Sequence, residues 1–166
     1  TAIIQRMGNP TAAAFDISAA CAGFCYGVAM AHDFVRAGSA KKVLVIGVEK
    51  ITDFTDPTDR ATAFIFADGA GAVVVGESNE AGIGPVEWGS DSENRDAILM
   101  NPSWIDVRDT QTQLTKADIK WPNISQEGQK VFRWAVFSMS KAALKALDSA
   151  GLSVNEIDAF IPHQAN

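Results

Sequence analysis

Ala13-Ala14-Phe15-Asp16-Ile17-Ser18, the stretch from Ala19 to Arg36, and Lys42-Val43-Leu44-Val45-Ile46-Gly47-Val48 decide the fold class. The first is a short apolar run suited to a buried strand. The second is helical, with Phe24, Val28, Ala31 and Val35 spaced to line one face. Gly38 closes that helix, because glycine takes the positive φ that a helix C-terminus often needs. The third is apolar without alternation, which predicts a strand covered on both faces. Strand, helix and strand in one short span make a βαβ unit, and predict an α/β protein with a mostly parallel layered sheet.

Further along, Ala61–Phe66 and Ala72–Gly76 read as two more strands around the small-residue turn Asp68-Gly69-Ala70-Gly71. Gly69-Ala70-Gly71 is not a dinucleotide loop: the third position of that motif falls on Val74, and a strand follows where a helix is required. Close packing between layers accounts better for these glycines. The segment from Ser90 to Gln126 is polar and carries Asn101-Pro102 and Trp121-Pro122, so it reads as a lid, binding loop or linker. Gly128–Ala150 is an amphipathic helix with Phe132, Val136, Met139, Ala143 and Leu147 on one stripe, ended by Gly151. Ile157–Pro162 reads as a further buried strand. A second α/β pattern thus begins and is unfinished at Asn166.

Composition narrows the function classes. The 166 residues are 47% hydrophobic and 20% charged, with a net charge of −6, which is globular and acidic. No Lys/Arg cluster offers the positive face that nucleic acid or an anionic membrane requires. No apolar run approaches the ~20 residues of a membrane-spanning helix. Thr1-Ala2-Ile3-Ile4-Gln5-Arg6 lacks a basic-then-apolar signal pattern. It also lacks a starting Met, which predicts a longer precursor or parent chain. Two cysteines, Cys21 and Cys25, are too few for a disulfide scaffold and indicate a reducing compartment.

Cys21 falls just after a predicted strand, in the first turn of the long helix. Backbone N–H groups there lack partners and carry partial positive charge, an environment suited to an anionic sulfur. Ser18, Ala19, Ala20, Ala22 and Gly23 leave room for a substrate. A nucleophile needs that access, although free cysteines are also often buried as small hydrophobes. Cys25, between Phe24 and Tyr26, reads as core. No Cys/His set stands at metal-ligand spacing. His32, mid-helix beside Asp33, reads as a surface or boundary residue. His163 follows Ile161-Pro162 at the carboxyl end of a predicted strand, where open α/β folds bind ligands.

Ala19-Ala20-Cys21-Ala22-Gly23-Phe24, Asp56-Pro57-Thr58-Asp59-Arg60, Phe66-Ala67-Asp68-Gly69-Ala70-Gly71-Ala72 and Pro162-His163-Gln164-Ala165-Asn166 occur in that order. Together they resemble the β-ketoacyl-acyl carrier protein synthase III family, over nearly the whole chain except Ser90 to Trp121. The Pro-His-Gln-Ala-Asn string separates this group from elongating condensing enzymes, which use a second histidine. The resemblance implies a thiolase-like fold of layered α-β-α-β-α form, here incomplete, in a cytoplasmic homodimer. Residues 1–90 would be most of the first half, 91–125 an irregular loop insertion, and 126–166 the start of the second half.

The same resemblance implies roles for single residues. Cys21 would take the acyl group of an acyl-CoA as a thioester. His163 would donate to the thioester oxygen of malonyl-acyl carrier protein as decarboxylation places charge there. Arg60 would pack on the adenine of coenzyme A, and Phe66 would wall the acyl pocket. Gly128, Phe132, Ala165 and Asn166 would line the pantetheine tunnel, and Arg133 would receive the carrier protein. No cofactor or metal is implied, since acyl-CoA is a substrate. The family's third catalytic residue, an Asn, and its C-terminal Gly-rich loop correspond to positions beyond Asn166. The first strands, with the tryptophan that faces Arg60, correspond to positions before Thr1. The chain is therefore expected to be a piece of a longer one. Rival readings are a priming synthase of polyketide metabolism, or a non-catalytic piece that only dimerises or binds carrier protein. Bulky side chains around Trp88, Trp104 and Trp121 would favour short starters.

Overall fold

The computed structural model describes residues 2–110 and 120–164. Contacts divide the chain into two units, Thr1–Gly47 with Gly71–Asn79, and Val48–Ala70 with Glu80–Asn166.

In the first unit, α1 (Ala2–Arg6) is followed by an extended stretch and a 3-10 turn, Ala20–Ala22, that runs into α2 (Gly23–Arg36). The helix ends where the sequence predicts: Gly38 has φ +72° and its N–H donates to Val35 at 3.1 Å. β1 (Lys42–Glu49) and β2 (Gly69–Gly76) form a two-stranded sheet. Helix and strand meet at small residues. A Cβ on Gly27 would lie 2.8 Å from Val45 Cγ1, and one on Gly47 would lie 3.5 Å from Phe24 Cδ2. Gly27 and Phe24 share a helix face, and Val45 and Gly47 share a strand face. Each glycine thus receives a side chain from the opposite element. The buried helix residues are Ala29 and Ala31, while Phe24 stays 45% exposed and Val28 and Val35 are half-buried. The apolar stripe therefore lies partly off the buried face.

Four expectations in this region are corrected. Ala13–Ser18 is extended but is not a strand, and Phe15 is exposed, edge-on to Phe34 at 6.3 Å. A strand requires a ladder partner, and none pairs with it among the described residues. β1 is covered on one face only: Val45 is buried and Val43 half-buried, while Leu44, Ile46 and Val48 are exposed. Gly69-Ala70-Gly71 opens β2 instead of forming a turn, and open space surrounds Gly69 and Gly71, so layer packing does not explain them. Finally, Gly47 approaches the Gly71 carbonyl while Gly76 approaches Lys41 and Lys42. The start of β1 lies beside the end of β2, so this pair is antiparallel.

In the second unit, Ala61–Phe66 is a run of turns, not a strand. Asp59 explains it: its carboxylate accepts the Ala61 N–H at 2.9 Å and the Thr62 hydroxyl at 2.8 Å. Such local bonds offer the backbone an alternative to a ladder. Thr62 is fully buried. The segment from Ser90 to Gln126 is more ordered than its polarity suggests. It holds β3 (Ile98–Asn101), α3 (Trp104–Thr110) and β4 (Asn123–Gln126). β3 and β4 are antiparallel, with Ile98 opposite Gln126 and Asn101 opposite Asn123. Asp91 accepts the Asn94 amide and the Trp134 indole N–H, each at 2.7 Å. Phe54, Trp104 and Trp121 form an aromatic cluster, with Trp104 edge-on to Trp121 at 5.1 Å.

α4 (Gly128–Ala150) matches its prediction, and Gly151 terminates it at φ +68°. None of its residues is buried, so its apolar stripe is only partly covered. Ile157–Pro162 is not a strand, and Ile161 is 90% exposed. It too has no ladder partner among the described residues. Phe15 and Ile17 in the first apolar run, and Phe160 and Ile161 in the second, are all exposed, so neither run has the cover of a buried strand.

Asp68 closes the segment between Ile51 and β2. It accepts the Thr52 N–H at 3.0 Å and the Thr52 hydroxyl at 2.7 Å, and Lys50 Nζ sits 3.0 Å away. Lys50 also binds Asp53 at 2.9 Å. The Thr52 N–H first, then its hydroxyl and the Lys50 ammonium, hold the Asp68 carboxyl down to about 2.

Two expectations follow from this packing. Gly27→Ala forces its methyl onto Val45, a short side chain that cannot swing away, and the overpacking outweighs alanine's better helix propensity. A net loss of about 1 kcal/mol in urea unfolding is expected, whereas Gly23→Ala, with nothing within 4 Å of its Cβ position, is neutral or stabilising. A stability gain in Gly27→Ala would contradict the contact. Asp68, with its depressed folded pKa, contributes stability above its ordinary 3.8 and loses it as pH falls through about 2. In Thr52→Val the Asp68 pKa rises towards 3.8 in a carboxyl-carbon NMR titration; an unmoved titration would remove the hydroxyl from the network.

Candidate active site

The chain enters α2 through a tight turn. The Ala22 N–H donates to the Ala19 carbonyl at 3.0 Å, and the Gly23 N–H donates to Ala20. Ala20 has φ +45°, in the left-handed region that a side chain disfavours. Such backbone persists only where the surroundings fix it, and it concentrates at functional sites. The next residue is Cys21, a free and exposed thiol. Its turn leads directly into the helix, at the end where a helix dipole is positive. Cys25 is exposed as well, and the expectation of a core residue is corrected. It sits one residue round the helix from Phe24, the side chain that faces Gly47, and so points away from the sheet. His32 is a boundary residue, with Nδ1 3.3 Å from Asp33.

The remaining predicted residues lie in the second unit. Arg60 is exposed on a turn built by two aspartates. Asp56 accepts the Thr58 N–H at 2.8 Å and its hydroxyl at 2.7 Å, and Asp59 makes the bonds given above. The Thr58 hydroxyl and N–H hold the Asp56 carboxyl below its ordinary range. Phe66, at the end of this run of turns, is half-buried. Gly128, Phe132 and Arg133 occupy the first two turns of α4, and Phe132 is 55% exposed. Gly128 and Arg133 line one open recess with Glu127, Gln129 and Lys130. His163 is exposed in the extended segment after the 3-10 turn Val154–Glu156. Ala165 and Asn166 lie outside the described residues.

Two residues were missed by sequence reasoning. Lys130 lies one turn before Arg133 and adds a second cation to the recess, partly countered by Glu127 at 4.0 Å. The i,i+3 spacing of two basic residues was the available signal. Gln126 donates its side-chain N–H to the Ala61 carbonyl at 2.8 Å and lies 4.0 Å from the Cβ position of Gly128. It brings the Arg60 turn to the head of α4. Its partner is 65 residues away in sequence, so no local pattern announces it. Cys21 belongs to the first unit and the other residues to the second, each placed within its own unit. Among the described residues no group of three or more His, Cys, Asp or Glu could hold a metal, and no helix is long and apolar enough to cross a membrane.

Comparisons agree with the motif order. The 3-Oxoacyl-[acyl-carrier-protein (ACP)] synthase III family profile matches residues 15–92. The chain is 54% identical, over its whole length, to beta-ketoacyl-[acyl-carrier-protein] synthase III 1 of Streptomyces coelicolor, covering 50% of that protein. It is equally 54% identical to the Streptomyces glaucescens synthase III, covering 48% of it. Among solved structures, the priming beta-ketosynthase of the R1128 polyketide biosynthetic pathway is similar at a TM-score of 0.89 and 44% identity, over 99% of this chain and 48% of that one. The Thermus thermophilus synthase III is similar at 0.84 and 35%, over 99% and 50%. The chain spans about half the length of the curated relatives it matches. The chain is thus similar over its whole length to β-ketoacyl-[acyl-carrier-protein] synthase III proteins, and its α/β fold is the thiolase-like fold of those solved structures, over about half of their length.

Proposed function

We propose that this chain carries the nucleophile and the enolate-stabilising histidine of a decarboxylative condensing enzyme. The reaction joins an acyl-CoA starter to malonyl-acyl carrier protein. The observation that carries this reading is Cys21, exposed in a strained turn at the mouth of α2. Its sulfur attacks the acyl-CoA carbonyl, the bond to the CoA sulfur breaks, and CoA leaves as the thiol with the proton. The malonyl group then loses carbon dioxide, and an N–H of His163 stabilises the enolate oxygen. The enolate carbon attacks the acyl-cysteine carbonyl, and the cysteine sulfur leaves, giving the β-ketoacyl product and free Cys21.

Arg60 holds the adenine end of the acyl-CoA, Phe66 walls the acyl group, and Gly128, Phe132, Ala165 and Asn166 line the path of the pantetheine. Arg133, with Lys130 beside it, receives the acidic carrier protein. Residues 1–90 form most of the first thiolase-like half, 91–125 an insertion, and 126–166 the start of the second half. The enzyme works without a cofactor, as a cytoplasmic homodimer. A second reading, priming of a polyketide pathway, is favoured by the fold similarity to the R1128 priming ketosynthase. It differs in starter and carrier protein and leaves the chemistry unchanged.

Incubation of the full-length protein with labelled acetyl-CoA is expected to place one acyl group on Cys21, mapped by peptide mass. Cys21→Ser loses the label and Cys25→Ser keeps it. His163→Ala still acylates but loses condensation on the order of 10²–10³-fold, as removal of an oxyanion donor does. Label on Cys25, or none on the wild type, would refute the assignment. Condensation rates with acetyl-CoA and with longer or branched acyl-CoA, on fatty acid and polyketide carrier proteins, separate the two readings.

A further inference from the structure

The turn that carries Arg60 and the head of α4 are each folded by their own bonds. Asp56 and Asp59 shape the turn. The head of α4 is set by Glu127, whose N–H donates to Ala97 at 2.9 Å and whose carbonyl accepts from Lys130 and Val131. Gln126 stands between them. Its backbone is fixed at the end of β4, opposite Ile98. Its side-chain amide reaches across to the Ala61 carbonyl, immediately after Arg60, while lying 4.0 Å from the Cβ position of Gly128. The buried Thr62 anchors the turn from the next position.

From this geometry we infer that Gln126 is a positioning residue for acyl-CoA, setting the separation between the segment that holds the nucleotide end and the segment that lines the pantetheine path. The inference rests on the acyl-CoA reading above. A ligand that spans two segments binds tightly only if both are already at the right spacing, since ordering them on binding weakens affinity. Neither segment touches the reacting carbonyl through Gln126. Losing the bond therefore weakens binding and leaves the chemistry at Cys21 unchanged. One neutral hydrogen bond corresponds to a change of about three- to tenfold.

The test compares wild-type full-length protein with Gln126→Met, which keeps length without a donor, and Gln126→Glu, which keeps shape but offers an acceptor to a carbonyl. The rate of Cys21 acylation is measured against acetyl-CoA concentration, beside Cys21 alkylation by iodoacetamide and hydrogen exchange over residues 57–66. Both variants are expected to raise the half-saturating acetyl-CoA concentration about three- to tenfold. The saturating rate and the alkylation rate should stay within about twofold, and exchange in the turn should quicken without ligand. Unchanged half-saturation, unchanged exchange, or a saturating rate that falls in step would overturn the positioning role while leaving the acyl-CoA reading intact. A wild type that takes no acyl group from acetyl-CoA would instead remove the reading itself, and the inference with it.

Discussion

Two glycines and the side chains they admit fix the first unit. Gly27 of the helix receives Val45 of the strand, and Gly47 of the strand receives Phe24 of the helix. The exchange runs both ways, so helix and strand cannot slide without one side chain striking backbone. Phe24 lies one turn after Cys21. The helix is therefore held at its first turns, just where the chain arrives through the strained Ala20. Strain of this kind needs a rigid neighbour to persist, and the interlocked glycines provide one.

The second unit is organised by carboxylates. Asp59 builds the turn after Arg60, Asp68 ties the end of that segment to Thr52 and Lys50, and Asp91 joins the Trp134 indole to its own turn. Glu87 likewise engages Lys145 and Ser149 on α4. Donors hold Asp68, Glu87 and Asp91 as anions. An acidic composition that argues against nucleic acid thus has a structural use: much of the negative charge is bound into local turns. The open recess keeps Lys130 and Arg133 beside one glutamate, so a protein acidic overall still presents local cations.

What the sequence revealed depended on how local each feature is. α2, α4 and their glycine stops were legible because a helix satisfies its own backbone and its ends are set by one or two residues. Ala13–Ser18 and Ile157–Pro162 were read from their apolar character, which is real, but a strand needs a partner that an apolar run does not specify. Ala61–Phe66 went wrong differently. Its apolar residues suggested a strand, while Asp59 diverted the backbone into turns. The β3–β4 pair was hidden by polar residues in β4. Cys21, Arg60 and His163 were legible as motifs, whereas the Gln126–Ala61 bond is non-local and left no trace.

Burial does not separate the two cysteines, since both are exposed. What separates them is backbone. Cys25 is the third residue of the regular α2 ladder. Cys21 lies in the tighter turn before that ladder begins, beside a residue in left-handed conformation and at the positive end of the dipole. The structural difference between two exposed thiols four residues apart therefore resides in where the helix starts. Just beyond that start, Phe24 packs against Gly47 of β1.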